Sequence, residues 1–230
     1  MAQQYGPKII TDGLVLSLDA ADKNSYPGSG TTWSDLSGNG NNGTLTNGPT
    51  FDSGNGGCID FDGVNDSVSL GNNVSTQIGQ LGSVEAWVYP ESDKWMYFFF
   101  KGYGSANSLF LGYHSSPKQW FFGTYANSAY KYNYWGNGGD YSAYHGNKWH
   151  HLVMTFNGSL VSDNWLFYWN GSQKASTDWT SDLGTVNTSA YLSASRYWVG
   201  KIGIFKIYNK ALSAKEVSQN FNAQRHRFGI

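Results

Sequence analysis

Two carboxylates lie two positions apart on one predicted strand, and they are the side chains whose spacing first suggests catalysis. Asp60 and Asp62 belong to a short apolar run, and side chains two residues apart in a strand point to the same face of a sheet. Retaining glycoside hydrolysis uses two carboxyl groups about 5–5.5 Å apart. The acidic residue of another predicted strand, Glu85, has only Ser83 and Trp87 as same-face neighbours. Asp60 and Asp62 are therefore the only geometric candidates for this chemistry.

Other catalytic or metal-binding patterns are missing from the sequence. It has no Gly-x-Ser-x-Gly elbow and no glycine-rich phosphate loop. His150 and His151 are adjacent on a predicted strand, so they point to opposite faces and cannot bind one ion together. The remaining histidines stand alone, without zinc-ligand spacing. We therefore expect a protein that is not an enzyme and needs no cofactor.

Residues 125–149 combine Tyr with Asn, Ser and Gly, a mixture typical of a binding surface. Antibody paratopes use the same residue types, because rigid amphipathic rings supply contact area and small polar groups supply adaptable hydrogen bonds. Sugar faces also stack on Tyr and Trp, while Asp and Asn bond hydroxyl groups. The candidate ligand-binding residues in this segment are Tyr125, Tyr130, Tyr132, Tyr134, Trp135, Asn137, Asp140, Tyr141 and Tyr144.

The alternative is that these rings have a structural role. Alternate rings of residues 130–134 could pack inside the protein or against a neighbouring subunit, and the sequence leaves both interpretations open. A second, smaller group of candidate binding rings comprises Trp95, Tyr97, Tyr103 and Trp179.

The elements that must position these residues are short strands separated by Gly, Asn and Ser, a pattern typical of a sandwich or barrel. Within residues 83–89, Val84, Ala86 and Val88 share one predicted face. Strands are predicted at Leu14–Leu18, Cys58–Asp62, Ser67–Leu70, Ser83–Tyr89, Tyr97–Lys101, Ser108–Tyr113, Gln119–Tyr125, Trp149–Phe156, Trp165–Trp169, Gln173–Thr177, Tyr191–Ala194 and Val199–Tyr208.

Turn and helix signals complete this outline. Asn170-Gly171 between two aromatic strands predicts a type I′ hairpin. Ser213 and Glu216 form a capping box that predicts a short C-terminal helix. The stretch from residue 28 to residue 55 is rich in Gly, Asn, Thr and Ser and is predicted as long surface loops. We expect a flexible arm over residues 1–9 and one domain over residues 10–230.

Composition restricts the partners of the chain. Only 13% of the 230 residues are charged and the formal net charge is -1, so the composition lacks the excess of Lys and Arg that is typical of nucleic-acid-binding proteins. No apolar stretch approaches the roughly 20 residues of a membrane span, and the first residues do not resemble a secretory signal. A single cysteine, Cys58, cannot form a disulfide within its own chain. Aromatic residues make up 17% of the chain and provide enough burial for a folded core.

Several sequence blocks resemble the laminin G-like modules of the concanavalin A-like superfamily. They occur in the expected order and span nearly the whole chain. The blocks are Gly13–Ala20, Trp33–Leu45, Ile59–Asp66, Val84–Pro90, the "Trp-His-His-Leu-Val" stretch Trp149–Val153, and the tail from Gly200 to Val217.

The resemblance implies an all-β, two-sheet antiparallel jelly-roll sandwich with one short C-terminal helix. It also implies that Asp60 and Asp62 lie in a structural strand and loop, which argues against the glucanase-like alternative. Many such modules hold one Ca²⁺ at the rim of the sandwich, and this ion prefers carboxylate and carbonyl oxygens. Calcium is accordingly an optional cofactor here, with Asp60, Asp62, Asn65 and Asp66 as candidate ligands, although the family's acidic residue after Gly-Lys-Ile is absent.

The C-terminal stretch Gln219–Gly229, with the layout of one domain and a short arm, is similar to modules of tailed-bacteriophage virion proteins. This similarity implies a virion protein of the head or tail surface, made in the host cytoplasm. Its partners would be other virion proteins or copies of itself and, for a carbohydrate-binding module, host surface polysaccharide. The alternative is a structural cement protein without a glycan ligand.

Overall fold

The computed structural model describes residues 7–74, 82–102, 108–116, 118–126, 129–135, 146–158, 164–178 and 188–230. These residues form sixteen strands, one α-helix and two 3₁₀ turns. The strands are β1 Leu14–Asp19, β2 Thr32–Trp33, β3 Gly43–Thr46, β4 Thr50–Asp52, β5 Cys58–Asp62, β6 Ser67–Gly71, β7 Gly82–Pro90, β8 Met96–Lys101, β9 Ser108–His114, β10 Gln119–Ala126, β11 Ala129–Trp135, β12 His150–Phe156, β13 Trp165–Trp169, β14 Ser172–Thr177, β15 Ala190–Leu192 and β16 Val199–Tyr208; helix α1 is Ala214–Gln224, and the 3₁₀ turns are Gly54–Gly56 and Arg225–Phe228.

Two antiparallel sheets of eight strands each form the sandwich. Sheet A has the order β14-β13-β12-β7-β16-β5-β4, and β1 also pairs with β16. Sheet B has the order β11-β10-β9-β8-β15-β6-β3-β2. Strands β8 to β11 are neighbours in both sequence and space, so they form a continuous meander at one end of sheet B. The predicted all-β, two-sheet jelly roll with a short C-terminal helix is confirmed.

Large aromatic side chains fill the space between the sheets. Trp33, Trp120, Trp165 and Trp198 are fully buried. The rings of Phe122 and Trp165 stack across the core with centroids 5.6 Å apart. Replacing one such ring by alanine typically costs about 3–5 kcal/mol. The aromatic residues therefore account for much of the stability of a chain that has so few charges.

Helix α1 covers the outer face of sheet A as a third layer. The predicted capping box is present: the Glu216 backbone N–H donates to the Ser213 hydroxyl, and the Glu216 carboxylate accepts from the Ser213 backbone N–H. Leu212 and Val217 are buried together below the helix. Phe221 stacks on the outward-facing Trp87 with centroids 5.8 Å apart. This side of the sandwich is consequently closed to large ligands along the helix.

The predicted hairpin is confirmed, because Asn170 and Gly171 both have positive φ (47° and 75°), as a type I′ turn requires. The prediction of surface loops from residue 28 to residue 55 is wrong in part, because strands β2, β3 and β4 lie there. Leu45 of β3 is buried while its neighbours are exposed. These strands are short. Strands β2 and β4 lie at sheet edges and β3 lies between β2 and β6, and backbone pairing with β3, β5 and β6 defines them more than their own side chains do.

Candidate functional site

The outer face of sheet B carries a layer of aromatic rings along the β8–β11 meander. Strand alternation places Tyr130, Tyr132 and Tyr134 of β11 on this face. Phe110 of β9 and Phe121 of β10 lie on the same face, in one cluster with Tyr132. Neighbouring centroids are 5.4 Å apart for Phe110 and Tyr132 and 5.8 Å apart for Tyr132 and Tyr134. We call this surface the aromatic face.

One glycine, Gly123, makes room for the Phe110 ring on this face. Gly123 pairs with Phe110 on one side and with Tyr132 on the other, so it separates two aromatic residues in the same row. A Cβ atom built at Gly123 would lie 2.0 Å from Cε2 of Phe110. The Phe110 ring therefore occupies the space above the glycine backbone, and any side chain there would displace it.

A pocket of about 480 Å³ opens on the aromatic face, between the meander and the loop that joins β15 to β16. Its volume falls in the range of small-molecule sites. Six of its nine described lining residues are aromatic, and hydroxyl groups and one guanidinium contribute polar atoms. Its lining residues are Trp95, Tyr97, Phe100, Ser108, Tyr125, Tyr130, Tyr132, Ser195 and Arg196.

Arg196 is the one charged side chain among the described residues that line this pocket, and neighbouring contacts hold it in place. Its guanidinium carbon lies 3.6 Å from the centroid of the Trp95 ring, a close cation–π contact. Its backbone carbonyl accepts a hydrogen bond of 2.8 Å from the backbone N–H of Tyr97. Ser193 and Ser195, just before it, both have positive φ (55° and 69°), a conformation that non-glycine residues adopt rarely. The loop is therefore shaped so that Arg196 lies beside β8.

Two phenols of the pocket, Tyr97 and Tyr132, have raised pKa values and are therefore neutral at physiological pH. Burial raises the pKa of Tyr97, although hydrogen bonds from Arg196 and Tyr132 oppose that rise. Burial also raises the pKa of Tyr132, and the neighbouring phenols add to the effect. Burial and the nearby Arg196 lower the pKa of His114 below its usual value, which favours an uncharged ring. Arg196 thus supplies the positive charge at this site.

The structure separates the residues predicted from the Tyr-rich segment into three groups. Tyr125, Tyr130 and Tyr132 line the pocket, and Tyr134 continues the aromatic face beside it. Trp135 lies on the other side of β11 and packs on Phe167 and Trp169, with centroids 5.3 and 4.7 Å away, so it is not part of the aromatic face. The third group, Asn137, Asp140, Tyr141 and Tyr144, lies outside the described residues.

The second group of candidate rings contributes two members to the pocket. Trp95 and Tyr97 line it, whereas Tyr103 and Trp179 lie outside the described residues. Sequence analysis did not single out Arg196, because a lone arginine in a Ser-rich loop carries no spacing signal. Its proximity to Trp95 depends on how the β15–β16 loop lies across β8.

Asp62 and Asp66 lie together in the turn after β5 and accept hydrogen bonds from its own backbone. Asp62 Oδ1 accepts from the Val64 N–H at 2.8 Å, and Asp66 Oδ2 accepts from the Asp62 N–H at 3.0 Å. Asn65 is exposed in the same turn, and its carbonyl accepts from the Asn47 side chain. In the part of the chain that the structure describes, no three His, Cys, Asp or Glu side chains are grouped so that they could hold a metal ion.

Asp60 has a different environment from Asp62. It pairs in register with Lys201 of β16, and burial raises the pKa of its carboxyl while the Lys201 charge opposes that rise. Lys201 donates to Asp52 at 2.5 Å and lies 3.6 Å from Glu91. Asp60 therefore belongs to a group of ionic side chains around Lys201, and Asp62 belongs to the neighbouring turn.

His150 and His151 point to opposite faces, as predicted. His150 accepts a hydrogen bond from Trp169 Nε1 at 2.8 Å and lies beside Trp120 in the core. His151 Nε2 lies 3.2 Å from Glu85 Oε1 under helix α1, where burial lowers its pKa. Glu85 itself bonds Lys206 at 2.9 Å and Asn220 at 2.6 Å. This buried polar group joins the helix to sheet A.

Two other pockets of about 510 Å³ each lie on the surface. One contains Tyr89, Trp149 and Trp169 near the start of β12, and the other contains Tyr191 and Tyr197 near β15. Of the described residues that line these two pockets and the pocket on the aromatic face, none is Asp or Glu. Among the described residues, no helix is both long enough and apolar enough to cross a lipid bilayer.

Comparison with solved structures shows the same architecture in other proteins. Domain 4 of AbnA, an extracellular arabinanase from Geobacillus stearothermophilus solved with arabinotriose, superposes with a TM-score of 0.67 at 19% identity, over 91% of this chain and 98% of that one. The binding domain of Paraclostridial Mosquitocidal Protein 1 superposes with a TM-score of 0.70 at 17% identity, and the match covers 92% of this chain and 52% of that one. Trypanosoma rangeli sialidase in complex with sialic acid superposes with a TM-score of 0.64 at 15% identity, and the match covers 94% of this chain and 33% of that one.

The chain thus spans nearly all of the arabinanase domain, but only about half of the toxin domain and a third of the sialidase. A search of curated proteins gave no match. A laminin G family model described as the concanavalin A-like lectin/glucanases superfamily matches residues 62–218, which is more than half of the chain. With its two-sheet jelly roll, the chain belongs to the concanavalin A-like lectin/glucanases superfamily.

Proposed function

We propose that this chain is a non-catalytic carbohydrate-binding module that a phage virion displays on its head or tail surface. The observation that carries the binding proposal is the pocket on the aromatic face. Tyr130 and Tyr132 offer partly exposed rings on which a sugar can stack, and the Tyr125 and Ser195 hydroxyls offer hydrogen bonds. This combination of aromatic planes with a few polar groups is typical of small-ligand sites.

The structural neighbours support a glycan as the ligand class. The arabinanase domain was solved with arabinotriose and the sialidase with sialic acid, while the mosquitocidal fragment is a binding domain. Their identities to this chain are below 20%, so they support the use of this fold in binding and leave the particular sugar open.

Two observations support a role without catalysis. No carboxylate of the part of the chain that the structure describes lines any of the three pockets, and hydrolysis by a retaining mechanism needs two. Asp60 and Asp62, the two carboxylates at alternating positions of one strand, have other partners. Asp60 faces Lys201, and Asp62 accepts a hydrogen bond from the backbone of its own turn. A reducing-sugar release assay tests this proposal, and product release that Asp60→Asn or Asp62→Asn abolishes would contradict it.

The virion location rests on the similarity of the C-terminal stretch to phage modules. Many copies on one particle would strengthen a weak sugar contact, because each further contact becomes intramolecular once the first has formed. We therefore expect purified virions to contain many copies of the chain, in contact with each other or with other virion proteins. A virion proteome without it would refute this location and leave the sugar-binding proposal intact.

A glycan array followed by calorimetry tests the binding site. We expect Tyr130→Ala and Tyr132→Ala to weaken binding of the best glycan about tenfold or more, because central aromatic contacts commonly contribute over 1 kcal/mol. Tyr89→Ala is the matched control, since Tyr89 is a partly exposed tyrosine on sheet A. Equal binding by the two pocket variants and the wild type would remove the aromatic face from the proposal.

The second candidate function is that of a structural cement protein. Tyr130 is 62% exposed and Tyr134 is 37% exposed, and such rings also suit contact with a neighbouring subunit. The array distinguishes the two functions, because a cement protein gives no glycan hits. An image of the particle with the aromatic face buried against a neighbour would favour the cement role.

A further inference from the structure

We propose that the pocket on the aromatic face selects a sugar that carries a carboxylate, such as a uronic or sialic acid residue, and that Arg196 binds this carboxylate. This inference rests on the proposed glycan-binding function and specifies its substrate class. The observation behind it is a guanidinium on the pocket wall among rings and hydroxyl groups.

The charge balance of the pocket favours an anionic ligand. Apart from Arg196, the eight described residues that line it are neutral. The ion pairs formed by the described residues involve other cations, namely Lys118, His151, Lys201, Lys206, Lys210 and Arg227. Arg196 therefore has no carboxylate partner among the residues that the structure describes. An anionic ligand would neutralise it.

The position of Arg196 is fixed by contacts that leave part of its guanidinium accessible. Trp95 supports one face of it at 3.6 Å, and the residue as a whole remains exposed. The backbone bond from Tyr97 to the Arg196 carbonyl and the left-handed conformation of Ser195 restrict the loop. A guanidinium held in this way loses less conformational freedom when a ligand binds.

Guanidinium geometry favours a carboxylate over a neutral hydroxyl. The planar fork of an arginine can form two parallel hydrogen bonds with the two oxygens of a carboxylate. Stacking of the sugar ring on Tyr130 or Tyr132 would then bring its substituents toward Arg196 on the pocket wall. Ring and charge together would distinguish an acidic sugar from its neutral analogue.

The test compares carboxylated polysaccharides from bacterial surfaces with the same polysaccharides after their carboxyl groups have been reduced to alcohols. We expect the carboxylated form to bind about 10- to 100-fold more tightly, the range for one charge-assisted hydrogen-bond pair. Arg196→Gln should remove this preference, and Arg196→Lys should retain part of it, since a lysine keeps the charge and loses the fork. Lys174→Gln is the matched control, because Lys174 is an exposed cation on β14 of the other sheet.

The outcomes separate this inference from the function on which it rests. Equal binding of carboxylated and reduced forms, or a preference that survives in Arg196→Gln, would overturn the inference while sugar binding stands. Binding of sulfated glycans alone would also overturn it, because sulfate is a different anion. Absence of binding to every glycan on the array would instead refute the proposed function itself.

Discussion

Removing the ammonium group of Lys206 should destabilise the protein strongly, because it leaves a buried carboxylate without its counter-charge. Glu85 and Lys206 are directly paired residues on β7 and β16, and their side chains are 0% and 1% exposed beneath helix α1. Burial alone would raise the pKa of Glu85, but Lys206 and His151 lower it from 4.5 to about 2. At 1.36 kcal/mol per pKa unit, this difference corresponds to roughly 3 kcal/mol of folding free energy.

The pH dependence of this contribution follows from the sign of the shift. Because the pKa of Glu85 is lower in the folded state, its contribution is present above about pH 4.5 and is lost as the pH falls toward 2. We expect Lys206→Met to lower the free energy of unfolding at pH 7 by about 3–5 kcal/mol, as measured by urea denaturation. The variant should lose less stability than the wild type between pH 5 and pH 3, since its Glu85 already tends to bind a proton.

A double variant tests the energetic coupling between Glu85 and Lys206. Glu85→Gln combined with Lys206→Met should recover part of the lost stability, because neither buried charge remains. Lys174→Met on β14 removes an exposed lysine and should change stability by less than about 0.5 kcal/mol. A loss below about 1 kcal/mol in Lys206→Met, or an unchanged pH profile, would show that the buried pair does not hold the helix on sheet A.

Two further predictions concern the aromatic face and calcium. Gly123→Ala should displace the Phe110 ring, lower the free energy of unfolding by about 1–3 kcal/mol as measured by urea denaturation, and weaken glycan affinity. Unchanged affinity and stability would show that the ring moves aside freely. Removal of divalent ions with a chelator should leave the protein folded and its thermal unfolding midpoint unchanged, because Asp62 and Asp66 already accept backbone hydrogen bonds. If calcium raised this midpoint and Asp62→Asn abolished the rise, the turn would instead hold a calcium site.

Local patterns predicted the architecture well where side chains themselves carry the signal. The alternation in β7 correctly placed Val84, Ala86 and Val88 in the core, and the capping box correctly placed the start of helix α1. The same approach failed for β2, β3 and β4, whose few apolar residues give little periodicity. Those strands exist because neighbouring strands offer them free backbone groups, and a one-dimensional pattern does not contain that information.

The fold class, the low charge and the abundance of rings can be read from the amino-acid sequence, because they depend on composition and on the residue periods of strands and helices. Which of the two faces of a strand is buried depends on how the two sheets pack. Alternation puts Tyr132 and Trp135 on opposite faces of β11, and the packing of the sheets buries the Trp135 face against the opposite sheet while Tyr132 lines the pocket. The pocket joins Arg196 to Trp95 across a hundred residues of chain. Such a contact forms only when folding brings the β15–β16 loop next to β8, because a cation–π contact depends on the distance between the two side chains and not on their separation in sequence.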